Sequence, residues 1–307
     1  MVAGGRRTWG ETMGHAFIVL FITLFSFSVL IPFIRHFSIS ISTAKVIYRG
    51  GFTILPTPGE ITFHSYQRIL RARSTVKAYF WSSYRTVLGT ALSVFFTAMT
   101  AYPLSKRYCP FRTGITAFWL IPMFFSGGII PLFMLVRSLG MINTIASLIV
   151  PGLIPIFTML IARNFFMTLP ESLTETARLD GAHDLYIYLR IVLPLSTPII
   201  ATMALWQLVA HWNAWFDIMV YFTKTDKLFV QQLLRRIIED ALAAKRGGLA
   251  TEIRMMQLAE QEEYSSLYTA ETIQSAILLV SIIPILCVYP FLQKYFAKGI
   301  LIGSLKG

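Results

Sequence analysis

Between Trp206 and Asp217 of this 307-residue chain, an otherwise apolar stretch carries Trp206, Gln207, His211, Trp212, Asn213, Trp215 and Asp217. At about 100° per residue, Trp206, Asn213 and Asp217 share one helix face. Gln207, His211 and Trp215 share a neighbouring face. Aromatic rings beside amides and a carboxylate suit a sugar, because rings stack on its apolar faces and polar groups bond its hydroxyls. A second reading competes. Trp212 and Trp215 fall near the expected outer edge of a membrane span, where tryptophan is common, and His211 reads equally as a satisfied polar residue. The same side chains do not make an enzyme: Asp217 and His211 alone supply neither a paired acid–base set nor a metal constellation. Cys109 and Cys287 have no CxxC neighbour and no metal-like histidine spacing. No GxxxxGK[ST] phosphate loop is present.

A second group is built for shape. Gly127 and Gly128 stand between Pro122 and Pro131. Such residues interrupt a helix, and broken helices near the membrane middle line transport sites. The alternative is a kink or close helix packing through glycine. Packing that shapes a path, rather than direct ligand contact, is the expectation for Gly127 and Gly128.

The elements that must hold these residues are transmembrane helices. The chain is 55% hydrophobic and 14% charged, against about a quarter charged in soluble domains. A span needs roughly 20 apolar residues. Six stretches qualify: about 15–37, 86–104, 113–136, 143–162, 194–222 and 270–291. The first follows Arg6 and Arg7 and is too long for a signal peptide, so it reads as a retained span. The expected fold class is all-α: a polytopic membrane protein in a single domain over 1–307. An external loop is expected at about 38–80 and a second external segment at about 223–269. Within the latter, Thr251–Glu263 reads as a surface helix. A cytoplasmic connection is expected at about 165–193.

Charge sets the orientation. Lys106, Arg107 and Arg112 between spans two and three, and Lys294, Lys298 and Lys306 in the tail, have no acidic neighbours, which places both termini in the cytoplasm. The net charge of +12 therefore flanks spans and does not point to nucleic acid. Arg85, Arg137 and Arg163 read as snorkelling at span ends. The first external loop resists the rule, carrying Lys45, Arg49, Arg68, Arg71, Arg73 and Lys77 against Glu60. Long loops translocate largely regardless of charge.

The connection between spans four and five has the densest local signals. Thr168 and Glu171 have capping-box spacing, with Pro170 suited to a first turn. Leu173, Ala177 and the Leu169/Thr176 flank fall near one face. Gly181 supplies a left-handed stop. Asp184 is placed to cap a second short helix toward Arg190, and Pro194 to open the next span. Two short helices with a glycine corner at the membrane surface form a knob shaped for a partner's groove; a solvated loop is the alternative.

Here the sequence resembles a known family. Glu175-Thr-Ala-Arg-Leu-Asp-Gly-Ala, followed by Ile191-Val-Leu-Pro-Leu-Ser-Thr-Pro198, closely resembles the EAA motif of binding-protein-dependent ABC importer permeases. Thr176 departs from the usual alanine and is still small. Phe125-Ser-Gly-Gly-Ile-Ile-Pro131, His211-Trp-Asn-Ala-Trp-Phe216 and Tyr289-Pro-Phe-Leu-Gln-Lys-Tyr-Phe-Ala-Lys-Gly299 look like the LplC/YtcP-type carbohydrate permeases of the maltose-permease-like (MalG-type) class.

The resemblance implies a non-catalytic permease subunit in the bacterial cytoplasmic membrane. In that family the EAA segment is the helix that couples to the ATPase. Carried over, the coupling set is Glu175, Ala177, Asp180, Gly181, Ala182, Ile191, Leu193 and Pro194, with Glu175 as a polar contact and Gly181 as the corner. The path set is Trp206, Gln207, Asn213, Asp217, Gly127 and Gly128. Implied partners are a second homologous permease forming a heterodimer, two ATPase subunits, an extracytoplasmic solute-binding protein, membrane lipid and an oligosaccharide substrate. ATP and Mg belong to the ATPase, and this chain binds no cofactor. The basic external loop, through Arg68, Arg71, Arg73 and Lys77, admits an acidic oligosaccharide such as alginate; a solvated loop touching the binding protein or lipid headgroups is the alternative. A secondary transporter, a channel or a membrane-embedded enzyme is disfavoured by the EAA segment.

Overall fold

The longest helices are apolar all round, as a helix surrounded by lipid or protein must be. The computed structural model describes residues 9–49, 56–223, 227–246 and 269–304. Three helices contain unbroken stretches long and apolar enough to cross a membrane: α1 (Trp9–Ser40), α4 (Arg73–Ser105) and α15 (Ala270–Ser304). Three bent pairs pass the same test together. These are α5 (Arg112–Phe124) with α6 (Ile129–Ser138), bent by 114°; the segment from α7 (Ala146–Ile149) to Gly152 with α8 (Ile156–Met167), bent by 52°; and Asp184–Leu195 with α12 (Thr197–Asn213), bent by 81°. Taking each pair as one span gives the six expected from the sequence.

The described residues divide into two compact units. The first takes 1–72 and 236–281. It contains α1, α2 (Ala44–Arg49), a 3-10 turn at Pro58–Glu60, α3 (His64–Arg71) and the first part of α15. The described part of the segment expected as an external loop is thus mostly helical, and Lys77 lies on α4. Hydroxyls tie this unit together: the Ser65 Oγ donates to Thr272 Oγ1 at 3.0 Å, Ser40 Oγ and Tyr66 Oη lie 2.7 Å apart, and His36 Nδ1 is 3.1 Å from Ser275 Oγ. The apolar side chains of α1, among them Phe17, Leu20 and Phe25, are exposed on this chain.

The second unit takes 73–235 and 282–307 and is organised around α4, which packs chiefly on α12 and α8. Its buried stripe runs Ala78, Ser82, Arg85, Gly89, Ser93, Thr97, Ala101. Small residues at this spacing let helices approach closely within a membrane. The larger core side chains fill the other end: Tyr102, Met159, Phe166, Ile187, Tyr188, Val192 and Met203 form one cluster. A second gathers Val136, Leu148, Ile218, Tyr221, Phe222 and Phe229, with the Phe133 and Tyr221 rings stacked 6.3 Å apart. The helix α14 (Val230–Arg246) follows. The surface helix expected over Thr251–Glu263 lies outside the described residues.

Candidate coupling surface and translocation path

The coupling segment begins where α8 stops. Thr168 does not form a capping box: its hydroxyl donates back to the Phe165 carbonyl at 2.7 Å, closing α8. Pro170 takes the N-cap position of α9 (Glu171–Leu179), and no side chain caps it. The other end closes as the sequence predicts. Gly181 has φ +81°, the left-handed region that favours glycine. Its N–H bonds the Arg178 carbonyl and the Ala182 N–H bonds the Ala177 carbonyl, both at 2.9 Å, which is the Schellman arrangement. The N-cap of α10 (Asp184–Ile187) is His183, whose Nδ1 accepts from the Tyr186 N–H at 3.2 Å. Asp184 is not the cap because Arg178 claims it. From α10 the chain continues through a π turn, Tyr188–Val192, into α11 (Leu193–Leu195). Pro194 therefore does not open the span; the bend falls at Ser196, and α12 begins with Thr197 and Pro198.

The predicted coupling residues sort by direction. Ala177, Ala182, Ile191 and Leu193 pack against the first core cluster and anchor the segment. Glu175, Asp180, Gly181 and Pro194 are exposed. Between the acids stands Leu179, 88% exposed, which the sequence reading passed over. Leu173, read as sharing a face with Ala177, is exposed.

A brace unseen in the sequence joins this knob to the end of α4. The Arg178 guanidinium lies over the Tyr108 ring at 4.3 Å, donates to the Tyr108 hydroxyl, and donates to Asp184 Oδ1 at 2.7 Å. The hydrogen bond to Asp184 is the main cause raising the Arg178 pKa. Lys106 is buried beside this brace, with its ammonium 5.2 Å from the Tyr102 ring. Burial lowers its pKa, while the Glu171 and Asp184 carboxylates oppose the shift and Arg178 adds to it.

The path residues are not held on one helix. α12 ends at Asn213, the chain turns at Ala214 and Trp215, and Asp217 sits in the first turn of a separate helix, α13 (Phe216–Tyr221). Trp206 and Asn213 remain exposed on α12. Gln207, His211 and Trp212 are buried, and Trp212 lies 6.2 Å from the Tyr79 ring. Trp215 is exposed and covered on one side by the Arg235 guanidinium at 4.2 Å, so it leaves the face expected with Gln207 and His211.

Asp217 is engaged. Its carboxylate pairs with Arg85, whose Nη1 is 3.3 Å from Oδ1 while Nη2 meets Oδ2. Arg85 also reaches the Ala214 and Leu148 carbonyls, each at 3.4 Å. Its side chain is 3% exposed, so it does not snorkel. One guanidinium thus serves a carboxylate and the loosened carbonyls of two other helices, which is how a charge is tolerated at this depth. The available signal was an aspartate within one span and an arginine at the edge of another, since charges at membrane depth pair. Arg163 binds the Leu104 carbonyl at 2.8 Å. Arg137 is exposed at the end of α6, as expected.

Gly127 and Gly128 lie in the break between α5 and α6. Neither packs closely: a Cβ at either position would meet nothing within 4 Å. Gly128 is needed for its φ of +83°, so shape and not close packing accounts for it. Among the described residues, no group of three or more His, Cys, Asp or Glu side chains could hold a metal ion.

Residues 89–302 match the family model described as "Binding-protein-dependent transport system inner membrane component". The chain is 36% identical over 287 residues to the polygalacturonan/rhamnogalacturonan transport system permease protein YtcP of Bacillus subtilis (strain 168), covering 94% of this chain and 96% of that one. It is 37% identical over 279 residues to Protein LplC of the same organism, covering 91% and 90%. A chain from the crystal structure of a bacterial ABC transporter involved in the import of the acidic polysaccharide alginate superposes with a TM-score of 0.84 at 29% identity, covering 95% of this chain and 99% of that one.

Proposed function

Because the chain belongs to the family of binding-protein-dependent transport system inner membrane components, we propose that it carries an acidic oligosaccharide and couples that movement to a separate ATPase through α9. It is a non-catalytic, multi-pass permease subunit of an ABC importer for sugars, resident in the inner membrane, and it works with ATPase and binding-protein partners. The finer assembly belongs to the proposal: a second homologous permease forms a heterodimer with it, and two ATPase subunits bind ATP and Mg.

The observation that carries the coupling role is the knob itself. Its inner residues are anchored, Gly181 turns the chain, and Leu179 projects between Glu175 and Asp180. An apolar tip rimmed by carboxylates is complementary to a groove with basic edges. Closure of the ATPases would move α9, and the Arg178–Tyr108 brace would carry that displacement to α4 as well as to α12. A coupled pathway then switches between inward- and outward-facing states.

Substrate charge is supported by two kinds of observation. The similar proteins named above include one named for polygalacturonan and rhamnogalacturonan and one described for alginate. Arg68, Arg71, Arg73 and Lys77 are all exposed and attract anions toward the protein. Trp206 and Asn213 on α12 are exposed, as are Gly127 and Gly128, whereas Asp217 is committed to Arg85.

The test is ATPase activity and uptake in proteoliposomes holding the complete transporter. Glu175→Ala and Gly181→Pro should insert normally and lose substrate-stimulated hydrolysis; unchanged hydrolysis and uptake would remove the coupling role from α9. Neutralising Arg68, Arg71, Arg73 and Lys77 should slow uptake of an oligouronate and spare a neutral oligosaccharide. Equal effects on both sugars would sink the acidic-substrate reading and leave the coupling reading intact.

A further inference from the structure

A cavity of about 320 Å³ opens where α4 ends. Met99, Tyr102 and Pro103 of α4 line it, with Tyr108 from the following loop and Leu185 and Tyr188 from beyond α9. The wall is almost wholly apolar, and its one carboxylate, Asp184, is already paired with Arg178.

Three donors at the cavity or close to it in sequence have no partner among the described residues: the hydroxyls of Tyr102 and Tyr188, which line it, and Nη1 of Arg112. Tyr188 is only 4% exposed, and its hydroxyl is unpaired. Nη1 of Arg112, two residues past Pro110 in the cavity rim, is also buried and unpaired. A buried donor without an acceptor is unfavourable, so the site favours an occupant that brings oxygen acceptors to an apolar chamber. The loop from Ser105 to Arg112 carries Lys106, Arg107 and Arg112 and no acid, which selects acceptors with negative charge. The apolar span of α4 ends at Ser105, so the cavity lies at headgroup depth. Tyr102, Tyr108 and Tyr188 around it are the side chains that favour that layer.

We propose that this cavity binds an anionic phospholipid. Its acyl chain lies against Met99, Pro103 and Leu185, and its phosphate oxygens accept from Tyr188 and Arg112. Bound there, the lipid bridges the end of α4 and the segment that follows α9. The site is independent of which sugar is carried.

The test uses the complete transporter in nanodiscs of phosphatidylcholine with increasing phosphatidylglycerol, and counts co-retained lipid by native mass spectrometry. The native protein should retain phosphatidylglycerol saturably and in preference to phosphatidylcholine. Met99→Trp, which fills the cavity from α4, should abolish the saturable component in an assembled transporter. Tyr188→Phe removes one hydrogen bond to a charged group and should weaken retention about tenfold; it carries the test if the tryptophan variant fails to assemble. Inorganic phosphate in excess should not displace the lipid. Undiminished retention in either variant, or equal retention of phosphatidylcholine, would overturn the proposal. Displacement by inorganic phosphate would do so too, by assigning the site to a free anion.

Discussion

The imidazole of His211 occupies the space that a side chain on Gly89 would need. A Cβ built on Gly89 would lie 2.6 Å from His211 Nε2 and 2.8 Å from two ring carbons. The contact joins the middle of α4 to the end of α12, two helices packed extensively on each other. His211 is therefore a packing partner first, and the glycine opposite it sets how closely the two helices approach.

Gly89→Ala should force these helices apart or push the imidazole from its rotamer. Overpacking of this kind costs about 1–3 kcal/mol. The purified transporter should unfold at lower temperature, and adding His211→Ala should recover much of the loss. A Gly89→Ala protein as stable as the native one would show that α4 and α12 are not packed as closely as described.

Breaking the Arg85–Asp217 pair should be asymmetric. Asp217→Asn leaves a guanidinium with a 3% exposed side chain facing a neutral amide, whereas Arg85→Met leaves a carboxylate that is 29% exposed. Removing one partner of a buried pair costs about 3 kcal/mol or more, and the aspartate change should be the more damaging. Thermal unfolding of the two variants measures the order; equal losses would mean that both charges have access to water.

Leu179→Ser should leave the chain's own stability unchanged, since the side chain is 88% exposed. In the proposed docking of α9 into an ATPase groove this side chain would be buried, and a buried leucine contributes about 1.5–3 kcal/mol. Affinity for the ATPase subunit should fall at least tenfold in a titration of permease against ATPase. Unchanged affinity would place this tip outside the docking groove.

The spans and the glycine corner were legible because each rests on a local signal. Apolar length locates a span whatever it packs against, and Gly181 sits where the chain must turn left-handed. Signals that depend on which of several partners a side chain takes, or on a break without glycine or proline, were not legible. Asp184 has a good cap side chain, yet Arg178 holds it and His183 caps instead. Thr168 has the spacing of a capping box, yet it ends the helix before. The break after Asn213 carries no glycine or proline, so periodicity ran through it and put Asp217 on a face it does not share. Arg85 looked like a span-end residue until its contacts to Ala214, Leu148 and Asp217 were visible.

The 114° bend between α5 and α6 leaves Phe125, Ser126, Gly127 and Gly128 outside regular helix. Within this stretch the Gly128 N–H turns to the Ser126 hydroxyl at 3.2 Å. Peptide groups released from a helix cannot face hydrocarbon, which offers them no hydrogen bonds. The freed peptide groups of this bend therefore call for water or polar protein groups around them, and not for acyl chains.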